Sequence, residues 1–251
     1  ASRFDLPGEK VVVRYQQYLA VRDILGRATD LSLPPQKRRG LIWHTQGSGK
    51  SLTMVFLVRK MRADAQLRRF KVVVVTDRKD LQGQLSVTAT LTGEVVDVAA
   101  SAEGVKALAR RKGPGLVFAT IQKYRDPDTT GDAPLTADDL PKAEPLGVKE
   151  TKAVYKVDEQ FEVLNEDDSI LVLVDEAHRT QAGDLHANLL AGLPNCARIG
   201  FTGTPIIMGD KKRTHDIFGG FIDRYTIKEA EADGATVPVL YEGRTANGAI
   251  K

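Results

Sequence analysis

Cysteine is almost missing from this sequence. The single thiol, Cys196, excludes a disulfide framework and a cysteine-based zinc site. Histidine is nearly as scarce, with four in 251 residues and no two at metal-ligand spacing, which argues against a histidine metal centre. No apolar run approaches the roughly 18 residues of a membrane span. No charged-then-apolar leader follows Ala1, so the chain reads as a cytosolic protein, or an excised piece of one, with no membrane partner. Wholesale disorder is excluded as well. Hydrophobic residues make up 42%, enough for a packed core in one large α/β domain or two small ones.

Charge is present and unevenly placed. The net charge is +3, yet residues 126–168 hold 13 acids against 4 bases, a balance of −9 that leaves +12 for the rest. Residues 31–76 alone carry 10 Lys/Arg and one acid, Asp64. A basic body with an acidic insert points to a polyanionic partner, or to a solvated surface with an acidic loop.

Apolar β-rich runs alternate with amphipathic stretches. Strands are expected at Leu41–His44, Lys71–Thr76, Val95–Val98, Leu116–Thr120, Ile170–Val174 and Ile199–Thr202. Several are apolar without alternation, as strands covered on both faces are. Helices are expected at Tyr15–Leu25, Lys50–Arg62, Lys79–Thr88, Glu103–Arg111 and Leu185–Leu193. This order implies a parallel α/β sheet with helices on both faces, with ligands beyond the carboxyl ends of its strands. Residues 126–169, with four prolines among the acids, read as an insertion.

Two motifs carry chemistry. Leu41–His44 runs straight into Thr45-Gln46-Gly47-Ser48-Gly49-Lys50-Ser51, and an apolar helical stretch follows. Strand, glycine-rich loop, Lys-Ser and helix form a phosphate-binding loop. The glycines let backbone N–H groups curl around phosphates, and the helix start adds about half a positive charge. Lys50 supplies a full charge for the β and γ phosphates, and Ser51 a hydroxyl for Mg²⁺. The usual pattern places a glycine where this chain has His44. The second motif is Asp175-Glu176-Ala177-His178, which ends the run Ile170–Val174. An Asp at a strand tip beside the loop can hold the Mg²⁺ shell, and the adjacent Glu can orient or deprotonate the attacking water. His178 is open between a γ-phosphate or interlobe contact and a plain strand-end hydrogen bond.

These motifs, with Gly200-Phe201-Thr202-Gly203-Thr204-Pro205, make the chain resemble the first motor lobe of superfamily-2 helicases and translocases, a P-loop NTPase of RecA-like fold. There the Thr-x-Thr segment, here Thr202 and Thr204, links the nucleotide site to the nucleic-acid track. Arg14-Tyr15-Gln16-Gln17 resembles the upstream element whose Gln, here Gln17, reads the adenine edge. Finer spellings are similar to the motor subunit of type I restriction–modification enzymes: His44–Ser51, Asp77–Leu81 with Gln84, Thr120–Lys123, Asp175–Gln181, Ile217–Gly219, and Asp233-Gly234 through Arg244. The likeness runs from about Arg14 to Arg244, with the acidic insert unmatched.

The resemblance implies an ATP-driven double-stranded-DNA translocase that works with methyltransferase and specificity subunits in the cytoplasm. Residues 1–223 would form the motor lobe and 224–251 a segment toward a second lobe lying beyond this chain, as does the cutting domain. Thr45, Gln46, Gly47, Ser48, Gly49, Lys50 and Ser51 would hold ATP, Ser51 and Asp175 the Mg²⁺, and Glu176 the water. Arg78, Lys79, Thr120 and Lys123 would meet the DNA backbone, and His178 with Thr202 and Thr204 would couple the two sites. Competing readings are a related helicase acting in DNA repair or on RNA, and a nucleotide-gated scaffold that does not hydrolyse.

Overall fold

The computed structural model describes residues 3–6, 9–76, 81, 83, 96–99, 102–120, 162–177, 190–204 and 211–237. Two short strands, β1 (Arg3–Leu6) and β2 (Glu9–Val12), pair as an antiparallel hairpin. After them come α1 (Tyr15–Ala28), β3 (Arg39–His44), α2 (Lys50–Ala63), β4 (Lys71–Thr76), β5 (Val96–Ala99), α3 (Ala102–Arg110) and β6 (Gly115–Thr120). The last described elements are β7 (Ile170–Val174), β8 (Ala197–Thr202), α4 (Lys211–Phe218), β9 (Phe221–Tyr225) and α5 (Ile227–Ala232). Strands β3 to β9 form one seven-stranded sheet in the order β5-β6-β4-β7-β8-β3-β9, and every neighbouring pair is parallel.

Burial explains why the central strands are apolar throughout. Every residue of β4 and β7 is buried. Side chains alternate across a strand, so Val72 and Val74 pack with α1 and α2, while Val73 and Val75 pack with α3 on the opposite face. Each such valine contributes roughly 1.5 kcal/mol or more. Helix α1 is amphipathic, burying Gln17, Ala20, Val21, Ile24 and Ala28 at helical spacing. It ends where the Thr29 hydroxyl donates to Leu25 O at 2.7 Å. Helix α2 is buried over most of its circumference, as a helix wedged between α1 and the sheet must be.

Cys196 is fully buried in the core on the α3 face. Burial pushes its thiol above the ordinary range, so it behaves as a packing residue. Among the described residues no helix is long and apolar enough to cross a membrane.

Three of the basic residues between 31 and 76 are internal fasteners. Arg38 is buried beside β3 and donates through Nη1 to Asp168 O (2.7 Å) and through Nη2 to Asn195 O (2.6 Å), tying down the segments that enter β7 and β8. Arg62 joins the end of α2 to Phe70 O and Gly115 O, both at 3.0 Å. Lys71 donates to Leu108 O (3.0 Å) and to the Arg111 carbonyl at the end of α3, and burial lowers its pKa. Three of the ten basic side chains in this stretch therefore satisfy backbone carbonyls within the fold.

Lys71–Thr76 and Ile170–Val174 form at the expected bounds, and the other expected strands differ by one or two residues. β9, α4, α5 and the first hairpin were not expected. β9 also runs across residues 223 and 224, where the lobe was expected to pass into a connecting segment. Of the expected helix Lys79–Thr88 only Leu81 and Gly83 are described, and of Leu185–Leu193 only the last four residues. The insert 126–169 lies outside the described residues up to 161.

Candidate functional site

The phosphate loop leaves the carboxyl end of β3 and enters α2. Gly47 (φ +82°) and Gly49 (φ +86°) are left-handed, the conformation that glycine adopts without a steric penalty. At Gly49 a side chain is excluded twice over, because a Cβ would also lie 2.5 Å from Gln17 Nε2. Ser48 Oγ donates to Thr45 O at 2.6 Å and closes the turn. Lys50 is the first residue of α2, and its Nζ donates to His44 O (3.2 Å) and Thr45 O (3.4 Å). The lysine is folded back over its own loop and is 7% exposed.

Gln17 braces this loop. Its Oε1 accepts from Arg14 N (2.9 Å) and its Nε2 donates to Gly49 O (3.2 Å), with the residue buried. His44, which stands where a glycine is usual, is wholly buried and lies with Nε2 2.8 Å from Asp223 Oδ2. Its ring packs edge-on against Tyr225 at 5.8 Å. The departure from the usual pattern thus ties the root of the loop to β9. The Tyr225 hydroxyl donates in turn to Asp233 Oδ2 (2.9 Å). Burial, aided by that carboxylate, pushes the phenol up to about 12, so it stays a neutral donor at ordinary pH.

Asp175 follows the last residue of β7. It is buried, its Oδ2 accepts from the Thr76 hydroxyl (3.2 Å) and its Oδ1 from Glu176 N (3.0 Å). Glu176 has φ +50°, the only positive value at a non-glycine position among the described residues. A left-handed Glu costs roughly 1–2 kcal/mol, and such strain gathers at functional sites. The turn carries the chain across to β8, where Ala177 N donates to Phe201 O at 2.8 Å.

At the end of β8, Thr202 Oγ1 donates to Thr204 O (3.0 Å) and accepts from Thr204 N (3.3 Å). The closed turn holds Gly203 so near the loop that a Cβ there would lie 2.8 Å from Lys50 Nζ. Strand register agrees: Trp43 pairs with Thr202, and Val174 with Gly200. All three motifs therefore share one rim of the sheet. Strand spacing puts the ends of β7 and β3 about 10 Å apart with β8 between them, close enough for a triphosphate to bridge.

Of the other expected site residues, Thr120 ends β6 on this rim, beside Thr76. Arg78, Lys79, Lys123 and His178 lie outside the described residues. Sequence reasoning missed Asp223, Tyr225 and Gly203. The first two sit on an edge strand with no motif of its own, and the closeness of Gly203 to Lys50 spans more than 150 positions.

The model of the family described as SWI2/SNF2 ATPase matches residues 16–251. The chain belongs to the SWI2/SNF2 ATPase family. Within the curated proteins it is similar to the type I restriction enzyme HindI endonuclease subunit of Haemophilus influenzae, 34% identical over 93% of this chain and 21% of that protein. It is also similar to the putative type I restriction enzyme MjaIXP endonuclease subunit of Methanocaldococcus jannaschii, 30% identical over 94% of this chain and 20% of that protein. The chain spans about a fifth of the length of these relatives. Its fold is shared with a nuclease-deletion mutant of the Type ISP restriction-modification enzyme LlaGI, solved in complex with a DNA substrate mimic. That match has a TM-score of 0.51 and 17% identity, covering 90% of this chain and 21% of that one. As a SWI2/SNF2 ATPase lobe it has the RecA-like parallel sheet expected of a P-loop NTPase.

The nearness of Gly203 to Lys50 yields a direct test in this ATPase lobe. Gly203→Ala should leave the fold intact, because the new methyl crowds only the far end of a flexible lysine and meets the backbone of His44 and Gln46 at ordinary contact distances. It should weaken ATP binding about tenfold, the scale of one hydrogen bond to a charged group. Calorimetric titration beside a melting curve checks both. Unchanged affinity would mean that Gly203 has no bearing on nucleotide binding.

Proposed function

We propose that this chain is the first motor lobe of a type I restriction enzyme endonuclease subunit. It binds MgATP and, with a second lobe, hydrolyses it to pull double-stranded DNA in the cytoplasm beside methyltransferase and specificity subunits. The observation that carries this reading is the meeting of Lys50, Gly203 and the Asp175-Glu176 strand end on one rim.

Backbone N–H groups of Gly47 to Ser51 and the start of α2 receive the phosphates. Lys50 exchanges the carbonyls of His44 and Thr45 for the β and γ oxygens. Gln17 braces the loop and reads the adenine edge. Ser51 and Asp175 fit Mg²⁺, which takes oxygen donors from one or two side chains and completes its shell with phosphate oxygens and water. Among the described residues no cluster of three or more His, Cys, Asp or Glu could form a metal cage without the nucleotide. The ion would neutralise phosphate charge. Glu176 orients the attacking water. Thr202 and Thr204, with His178, relay the state of the site toward Arg78, Lys79, Thr120 and Lys123, whose contacts with the DNA backbone position the duplex without reading its sequence.

A second lobe supplies the transition-state arginines, worth about 10³–10⁵ in turnover in comparable reactions. The chain by itself should therefore bind nucleotide weakly and hydrolyse it very slowly, while the full-length protein shows hydrolysis stimulated by duplex DNA. A phosphate-release assay with DNA or RNA duplexes decides. Brisk DNA-stimulated turnover by this chain alone overturns the half-site reading, and stimulation by RNA alone favours a different helicase.

A further inference from the structure

The segment that follows β9 forms a wall of the phosphate loop. Helix α5 is fastened at both ends. At its start Thr226 and Glu229 form a reciprocal capping box. At its end Gly234 adopts φ +64°, its N–H donates to Glu231 O (3.0 Å), and Ala235 N–H donates to Ala230 O (2.7 Å). Those two bonds define a Schellman cap. Thr236 N donates to the same Ala230 carbonyl at 3.2 Å, so the chain is held in place past the helix end. The cap delivers Thr236 to the loop. Its methyl carbon lies 3.6 Å from where a Cβ on Gly47 would stand. Its hydroxyl is buried and has no hydrogen-bond partner among the described residues.

A buried hydroxyl without a partner carries a free-energy penalty that native structures rarely leave unrelieved. Here the methyl faces the first glycine of the loop, and a turn about χ1, which exchanges methyl and hydroxyl, would bring the hydroxyl to the side where phosphate oxygens accept hydrogen bonds strongly. We propose that Thr236 is a nucleotide-contacting residue whose hydroxyl donates to the polyphosphate of the bound nucleotide. This rests on the reading of Gly47 to Ser51 as the nucleotide site. It also makes the segment leaving α5 sensitive to occupancy, because the bond forms only when nucleotide is present.

The test compares Thr236→Val, which keeps the shape and removes the hydroxyl, with Thr236→Ser, which keeps the hydroxyl. Lys50→Ala serves as the control. Binding of Mg²⁺ with the non-hydrolysable analogue AMP-PNP is titrated on the full-length protein carrying this chain, and melting is recorded without nucleotide. Thr236→Val should bind about five- to tenfold more weakly and melt no lower than the unaltered chain, since it removes an unpaired polar group. Thr236→Ser should bind within about twofold. If Thr236→Val binds normally while Lys50→Ala does not, the proposal fails and the nucleotide site stands. If Thr236→Ser loses as much affinity as Thr236→Val, keeping the hydroxyl does not preserve binding and the hydroxyl role is overturned. A lower melting temperature of the nucleotide-free Thr236→Val chain would make the hydroxyl structural, which also overturns it. If the unaltered chain and Lys50→Ala both fail to bind the analogue, the nucleotide site itself is wrong.

Discussion

In the full-length protein, Glu176→Gln should lower ATP turnover by about 10²–10⁴, the usual worth of a positioned general base. Affinity for MgATP should stay within about twofold, since the amide keeps the size of the side chain and removes only its charge. The asymmetry follows from how the two acids are held. Asp175 is buried and accepts hydrogen bonds from Thr76 and Glu176 N, as suits the metal-holding role proposed for it. Glu176 is half-buried on a left-handed turn, strain that the fold has reason to tolerate only where the side chain has a task. Lys50→Ala should fail earlier, at binding. Rapid-quench hydrolysis beside equilibrium titration separates the two outcomes. A Glu176→Gln protein that turns over normally would remove that carboxylate from the chemistry.

Arg38→Met should destabilise the chain by about 3 kcal/mol or more. Arg38 makes two charged hydrogen bonds to carbonyls, each worth roughly 1.5–3 kcal/mol, and methionine leaves Asp168 O and Asn195 O without that donor. The buried and unpartnered Nε of Arg38 offsets part of the loss, because methionine has no polar atom there to desolvate. Against a typical total of about 5–15 kcal/mol, this is a large fraction. Urea unfolding followed by circular dichroism measures it. A loss under about 1 kcal/mol would mean that the entries to β7 and β8 hold their places without the guanidinium. The effect on the nucleotide site would be indirect, since these segments set the register of the strands whose far ends carry Asp175 and Thr202.

Legibility followed the range of the interactions. Strands β4 and β7 could be read to the residue because unbroken Val, Ile and Leu runs fit only a strand covered on both faces. β9 could not. Asp223 and Arg224 interrupt its apolar pattern, and the reason for Asp223 is His44, 179 positions earlier. α4 is eight residues long and mostly polar, too short and too charged to announce itself by periodicity. The basic stretch 31–76 serves more than one end, since composition cannot tell a solvated arginine from one that fastens carbonyls, as Arg38 and Arg62 do.

The amino-acid sequence alone determined the phosphate loop, the acidic strand end and the parallel α/β class. Each depends on neighbouring residues, through glycine's access to positive φ, the partial charge at a helix start and the burial of consecutive β-branched side chains. Only the tertiary structure decided that β8 lies between β3 and β7, that Gly203 comes up against Lys50, that His44 answers Asp223, and that Thr236 reaches Gly47. Strand order is set by how all the crossover helices pack against both faces at once, and no local window of sequence contains that balance.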